Sequence, residues 1–255
     1  MTSNSVISNI FRIALVAVLT SFAHSAAWAA CSNASVSGTY GSLGDGTSPA
    51  GQPEANLFQF KLDPSAGKFT GTDQTGALVS GTYQVASNCT ITGTTTKGGT
   101  THPFSALVTS TGLQSVSGNP GATNGGFWVA QGSPTCTNAG VKGTFGLALR
   151  GTFLAGAEFT GPVILIGELG FRVDANGDGV ISGHMAGSEN GTILTFSEEP
   201  VAGSYTVDAN CKGTFRIMPA GQSALNFSFV IVDSGNELLA IETDANTVVT
   251  ATLQR

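Results

Sequence analysis

Residues 31–41 read Cys-Ser-Asn-Ala-Ser-Val-Ser-Gly-Thr-Tyr-Gly and residues 136–146 read Cys-Thr-Asn-Ala-Gly-Val-Lys-Gly-Thr-Phe-Gly, identical at seven of eleven positions, with Phe145 in the place of Tyr40. A second block returns in the same order. Val79-Ser80-Gly81-Thr82-Tyr83-Gln84-Val85, leading to Asn88-Cys89, is matched by Val201-Ala202-Gly203-Ser204-Tyr205-Thr206-Val207, leading to Asn210-Cys211. A weaker third match pairs Phe104-Ser105 with Phe227-Ser228. Self-similarity at this spacing means one structural unit made twice, so whatever fold is proposed must fit in roughly a hundred residues. The copies meet near Ser133-Pro134-Thr135, giving domains over 30–133 and 134–255.

Residues 1–29 read as a secretory signal peptide: a short polar start with Arg12, an apolar run from Ile13 to Phe22, and the small-residue ending Ala27-Trp28-Ala29. The run is too short for a ~20-residue membrane span. Cys31 lies close to the expected cleavage point, but Trp28 stands where a lipoprotein signal wants a small aliphatic residue. The expectation is a secreted or periplasmic protein with no transmembrane span after processing.

Each copy breaks into short alternating segments separated by Gly, Asp, Asn and Pro, the pattern of an antiparallel all-β domain. In the second copy strands are expected near 141–151, 162–173, 179–187, 192–197, 201–208, 212–218, 224–232, 237–243 and 247–254. Leu225, Phe227, Phe229 and Ile231 fall on one face at period two, with Asn226 and Ser228 on the other. About eight strands in ~110 residues suits a small up-and-down barrel, whose closure removes exposed sheet edges. A β-sandwich is the alternative, because periodicity does not separate a closed sheet from two packed ones.

Four cysteines at matching places in an exported chain imply two disulfides, of which the repeat symmetry selects Cys31 with Cys89 and Cys136 with Cys211. Loops of this length imply ~4 kcal/mol of stabilisation each in the chain-entropy treatment. A metal or redox role would call for Cys-x-x-Cys spacing, which the chain lacks.

Charge excludes one class of partner. Removing the leader takes away Arg12 from the ten Lys and Arg and none of the sixteen Asp and Glu, and an acidic product disfavours nucleic acid. Most of that acid lies in the second copy.

The sharpest chemical motif is Asp174-Ala175-Asn176-Gly177-Asp178-Gly179, the first half of an oxygen-ligand calcium loop, with Asp174, Asn176 and Asp178 as its ligands. Its twelfth position should be a bidentate Glu and is Met185. The first copy makes the corresponding turn with Asp63-Pro64-Ser65-Ala66-Gly67, which has no ligand set, so the reading favoured is a structural turn with no required cofactor and at most weak calcium.

No catalytic constellation is legible. His102 and His184 sit at different places in the two copies and in no zinc or nucleophile motif. Glu158, Glu168, Glu189, Glu198 and Glu199 are available carboxylates. Glu168 interrupts the apolar run Val163–Leu169 and shares its face with Ile164 and Ile166, so its burial decides whether it has acid chemistry. Gly-x-Gly-x-x-Gly does not occur, and no phosphate cradle is expected.

With its Cys-x-Asn-Ala-x-x-x-Gly-Thr-(Tyr/Phe)-Gly and Gly-x-Tyr-x-Val-x-x-Asn-Cys blocks, the chain resembles uncharacterised secreted bacterial proteins built of such cysteine-bounded units. The eight-strand count also looks like calycin or allene oxide cyclase type barrels, a resemblance that implies binding or cyclisation of an apolar ligand and supplies no site residue. Three functions follow in order of expectation. The first is a binding protein holding a small apolar molecule inside one or both barrels. The second is a structural or surface-interaction protein of the envelope. The third is a cyclase- or isomerase-like enzyme. An outer-membrane barrel is disfavoured, because the chain ends Leu253-Gln254-Arg255 and has few Trp and Tyr for interfacial girdles.

Overall fold

A computed structural model describes residues 30–118, 120–157, 160–195, 201–219 and 222–255. The expected signal peptide, residues 1–29, and the carboxylates Glu158, Glu198 and Glu199 lie outside the described residues.

The first copy is a closed antiparallel barrel of eight strands in sequence order. They are β1 Gly38–Thr47, β2 Pro53–Asp63, β3 Lys68–Asp73, β4 Leu78–Val85, β5 Thr90–Lys97, β6 Thr100–Thr109, β7 Gly112–Ser117 and β8 Thr123–Ala130. Strand β1 pairs with both β2 and β8, so no edge is left open.

The second copy begins with a one-turn helix, α1 Asn138–Val141, and continues with β9 Gly143–Phe153, β10 Gly161–Val173, β11 Gly179–Glu189, β12 Thr192–Thr195, β13 Val201–Val207, β14 Lys212–Met218, β15 Leu225–Val232, β16 Glu237–Glu242 and β17 Thr247–Gln254. Each of the nine segments expected here contains a strand, although of the segment expected at 192–197 only Thr192–Thr195 lies within the described residues. Pairing of β10 with β11 closes eight of them into a second barrel. The short β12 stands outside the ring and, among the described residues, pairs only with the far end of β11. The architecture is therefore two tandem barrels, not sandwiches.

The repeated cysteine block has a structural explanation. In each copy the segment before the first strand crosses one end of its barrel and caps it. Val36 and Val141 plug the core, and the Asn33 and Asn138 side chains accept the Val85 and Val207 amides at 2.8 and 2.9 Å. Tyr83 and Tyr205 donate their hydroxyls back to the Val36 and Asn138 carbonyls. The disulfides Cys31–Cys89 and Cys136–Cys211 join this cap to the turn after the fourth strand. Both turn cysteines have positive φ, 68° at Cys89 and 61° at Cys211, a conformation disfavoured for a residue with a Cβ and held here by the crosslink and the turn hydrogen bonds. Two disulfides point to an oxidising, extracytoplasmic environment. Among the described residues no helix is long and apolar enough to cross a membrane.

The barrels lie side by side on a dry seam. Leu43 and Leu57 from the outer face of β1 and β2 pack on Val230, Val232, Leu239 and Ile241 from the outer face of β15 and β16, with Ala55, Phe127 and Val129 at the margin. Polar contacts flank it. Gln131, buried in the linker, donates to the Ile231 carbonyl at 3.0 Å, and Lys212 donates to Thr72 Oγ1 and the Asp73 carbonyl at 2.9 and 2.8 Å. Burial of the Lys212 ammonium pulls its pKa down, against the attraction of Asp208 and Asp73.

Candidate functional site

The two strand registers correspond position by position around both rings, so each inward side chain of one barrel can be compared with its counterpart in the other. Starting from Tyr40 and Phe145, the pairings put Ser42 opposite Leu147, Asn56 opposite Leu165, Glu54 opposite Val163 and Asp73 opposite Met185. Continuing round, Thr95 corresponds to Ile217, Lys97 to Pro219 and His102 to Leu225. Ser115 corresponds to Ala240 and Asn124 to Val249. At the end of the barrel away from the cap, the first copy is polar where the second is apolar. Three positions depart from this: Ser117, whose counterpart is Glu242, and the apolar Phe58 and Val79, whose counterparts are Gly167 and Val201.

The consequence is a difference in filling. The second barrel is packed: Phe145, Phe215, Phe227, Phe229, Leu169, Met185, Ile217 and Leu238 are all fully buried in one core. The first barrel has a smaller core near its cap and, above it, a cavity of about 530 Å³. The cavity floor is aromatic. Phe60 meets Trp128 edge-on with centroids 4.7 Å apart, Trp128 meets Phe104 at 5.4 Å, and Phe69 closes the group against Phe60 and Phe104. Gly81 is needed beneath it, because a Cβ there would come within 2.4 Å of the Phe69 ring.

The rim carries the polar groups. Lys97 projects from the end of β5, its Nζ 2.8 Å from Asp73 Oδ2 and 5.5 Å from the centre of the Phe58 ring. Asp73 is nearly inaccessible. Its other oxygen accepts the Thr75 amide, the Thr75 hydroxyl and the Ala77 amide at 2.7–2.9 Å. Burial works against ionisation of Asp73, but the bonds from Lys97, Thr75 and Ala77 outweigh it and bring its pKa down to about 2. Across the mouth, Asn124 Nδ2 lies 3.5 Å from Glu54 Oε2, while Asn124 Oδ1 is buried without a hydrogen-bond partner among the described residues. A buried acceptor left bare is costly unless something donates to it. His102 and Ser117 complete the rim.

The sequence-derived candidates lie elsewhere. In the turn after β10, Asp174 Oδ1 accepts the backbone amides of Asn176 and Asp178, both at 2.9 Å, so this carboxylate is engaged in shaping the loop. Met185 lies inside the barrel core, where no side chain could reach back to the loop. Among the described residues no group of three or more His, Cys, Asp or Glu is placed to hold a metal. Glu168, with Ile164 and Ile166, is on the exposed outer face of β10 and does not line the first-barrel cavity; Ile164 and Ile166 border the groove between the barrels. His184 also stands apart from the first-barrel site. Of the residues considered from sequence for chemistry, His102 is the one that lines this cavity.

Sequence reasoning missed Asp73, Lys97, Glu54, Asn124 and Trp128. A signal was present: extending the Cys31–Cys136 match by one step sets Ser42 against Leu147, an inward polar residue against an inward leucine.

The second barrel has a smaller pocket at the same end, about 260 Å³, walled by Phe153, Val163, Leu165, Pro219 and Leu225. Glu242 lines it with one carboxyl oxygen buried and without a hydrogen-bond partner among the described residues. Burial first, then the charge of Asp244 and a hydrogen bond shared with it, push the Glu242 pKa up to about 8.

No protein-family model matches this chain, and no curated protein or solved structure matches it.

Proposed function

We propose that this is an exported binding protein whose first barrel holds one small amphipathic molecule, with an aromatic or other flat apolar body on the Phe60, Phe69, Phe104 and Trp128 floor and a hydroxyl or amine at the rim. The observation that carries this reading is the comparison between copies. The second barrel demonstrates that the fold needs no polar residues at these positions, so the polar, hollow interior of the first is not a requirement of folding. A cavity of about 530 Å³ falls within the ~300–1,000 Å³ range of small-ligand sites. The bare Asn124 oxygen calls for a donor on the ligand, and the ionised Asp73–Lys97 pair favours a polar group at the mouth. The likeness to calycin and allene oxide cyclase barrels rests on strand count and closure and adds no residue to the argument.

Trp128 is the only tryptophan after residue 29 and lies in the floor, which makes its fluorescence a direct reporter. Titration with 2-naphthol is expected to change that emission saturably, and with naphthalene more weakly. Ser42→Leu, which installs the second copy's residue, should abolish the change, and Asn124→Val should remove the preference for the naphthol. Equal response of wild type and Ser42→Leu would overturn the proposal. Native mass spectrometry of protein purified from its own host then identifies what the cavity retains.

A further inference from the structure

The seam inside this molecule joins two different faces: the outer side of β1–β2 on one barrel and the outer side of β15–β16 on the other. Because the barrels are register-equivalent, each face exists twice. The counterparts of Ala55 and Leu57 are Ile164 and Ile166 on β10, and the counterparts of Val230 and Ile241 are Leu107 and Val116 on β6 and β7. These four residues are 59%, 60%, 49% and 59% exposed, and they make up four of the seven large exposed hydrophobic side chains among the described residues. The second barrel thus presents an uncovered counterpart of the β1–β2 face, and the first barrel an uncovered counterpart of the β15–β16 face.

Two further details fit a repeated seam. Gly41, which lets Val232 approach the first barrel, has its counterpart in Gly146, where a Cβ would meet nothing closer than a backbone oxygen at 3.6 Å. The slot is present and empty of side chains. Asp45 and Arg150 are also counterparts, and they form an ion pair at 3.2 Å across the internal seam. In a second seam of the same kind, Arg150 of one molecule would meet Asp45 of the next, so the charges are again opposite.

We propose that a second copy of this chain docks its Leu107 and Val116 face on the Ile164 and Ile166 face of the first, repeating the internal seam between molecules. Such a contact is heterologous, head to tail, and leaves one free face of each kind on every assembly until a ring closes or a filament grows. Thr109 and Gln114 stand where the internal seam has Val232 and Leu239, and Ala148, Thr252 and Gln254 where it has Leu43, Phe127 and Val129, so the contact is weaker than the internal one and depends on concentration.

Sedimentation velocity of the processed wild-type chain over a concentration series is expected to show assemblies larger than a dimer. Ile164→Lys/Ile166→Lys and Leu107→Lys/Val116→Lys should each be monomeric, with wild-type circular dichroism and melting, because all four side chains are already exposed. The decisive arm is their mixture. Each variant retains the face the other lacks, so mixing should restore a complex of two chains and no larger. A wild-type chain that stays monomeric at the highest soluble concentration overturns the proposal. So does a dimer that one pair of substitutions abolishes and the other leaves intact, since that is an isologous contact through a single face.

Discussion

Gly41 and Val232 meet across the seam between the barrels so closely that a Cβ on Gly41 would stand 2.6 Å from Val232 Cγ1. The next nearest atoms belong to Val230 and Leu239, also on the second barrel. An unremarkable glycine in a repeated Gly-Thr-Tyr-Gly string is therefore what allows two closed sheets to come into contact.

Gly41→Leu should wedge that seam apart. Overpacking of this kind costs roughly 1–3 kcal/mol. The control is built into the chain, because Gly146→Leu at the equivalent position meets only the Gln254 carbonyl oxygen, at an ordinary contact distance of 3.6 Å, and should stay within about 0.5 kcal/mol of wild type at concentrations where the chain is monomeric. Urea denaturation of both variants checks this, and equal losses would show that the seam is not what Gly41 serves.

Glu242 makes stability fall with rising pH. Its folded-state pKa, about 8, lies above the ordinary 4.5, so between those values the folded state holds a proton that the unfolded chain has released. Stability from this group is full below about 4.5 and is lost as pH rises through about 8, on the order of a few kcal/mol in all. Asp244 faces it from the adjacent turn, and Glu189 lines the same pocket. Glu237, also raised by burial, acts in the same direction. Glu242→Gln should flatten much of the slope and stabilise the protein at pH 9. Parallel pH profiles for wild type and variant would rule this out.

Asp73 acts with the opposite sign. With its pKa lowered from 3.8 to about 2, the pair with Lys97 and the turn bonds contribute stability that is present above 3.8 and lost as pH falls through about 2. Asp73→Asn should cost about 1–3 kcal/mol at neutral pH, the range for a hydrogen bond to a charged group when one partner stays half-exposed. The deficit should shrink as pH approaches 2. A deficit independent of pH would mean that packing, not charge, is responsible.

The Asp174–Gly179 turn is expected to fold without calcium. A site of micromolar affinity would add ~4 kcal/mol in millimolar calcium. Thermal melts with calcium and with chelator should instead superimpose, since Asp174 Oδ1 is engaged with backbone amides and Met185 points into the core. A calcium-dependent rise abolished by Asp178→Ala would establish a metal site.

The sequence by itself determined the elements. Alternation over Leu225–Ile231, turn residues at regular spacing and two matched Cys-x-Asn blocks sufficed for the strands of the second copy and for the disulfide pairing, because these depend on local conformation and on repeat symmetry. Closure into barrels, the hollow in the first and the seam between them were decided by the tertiary structure. Leu57 and Ile166 show why. They occupy one repeat position, with the same parity on corresponding strands, yet Leu57 is buried and Ile166 exposed. Period-two alternation assigns a side chain to one face of a sheet, and only the packing of a neighbouring sheet determines whether that face is dry.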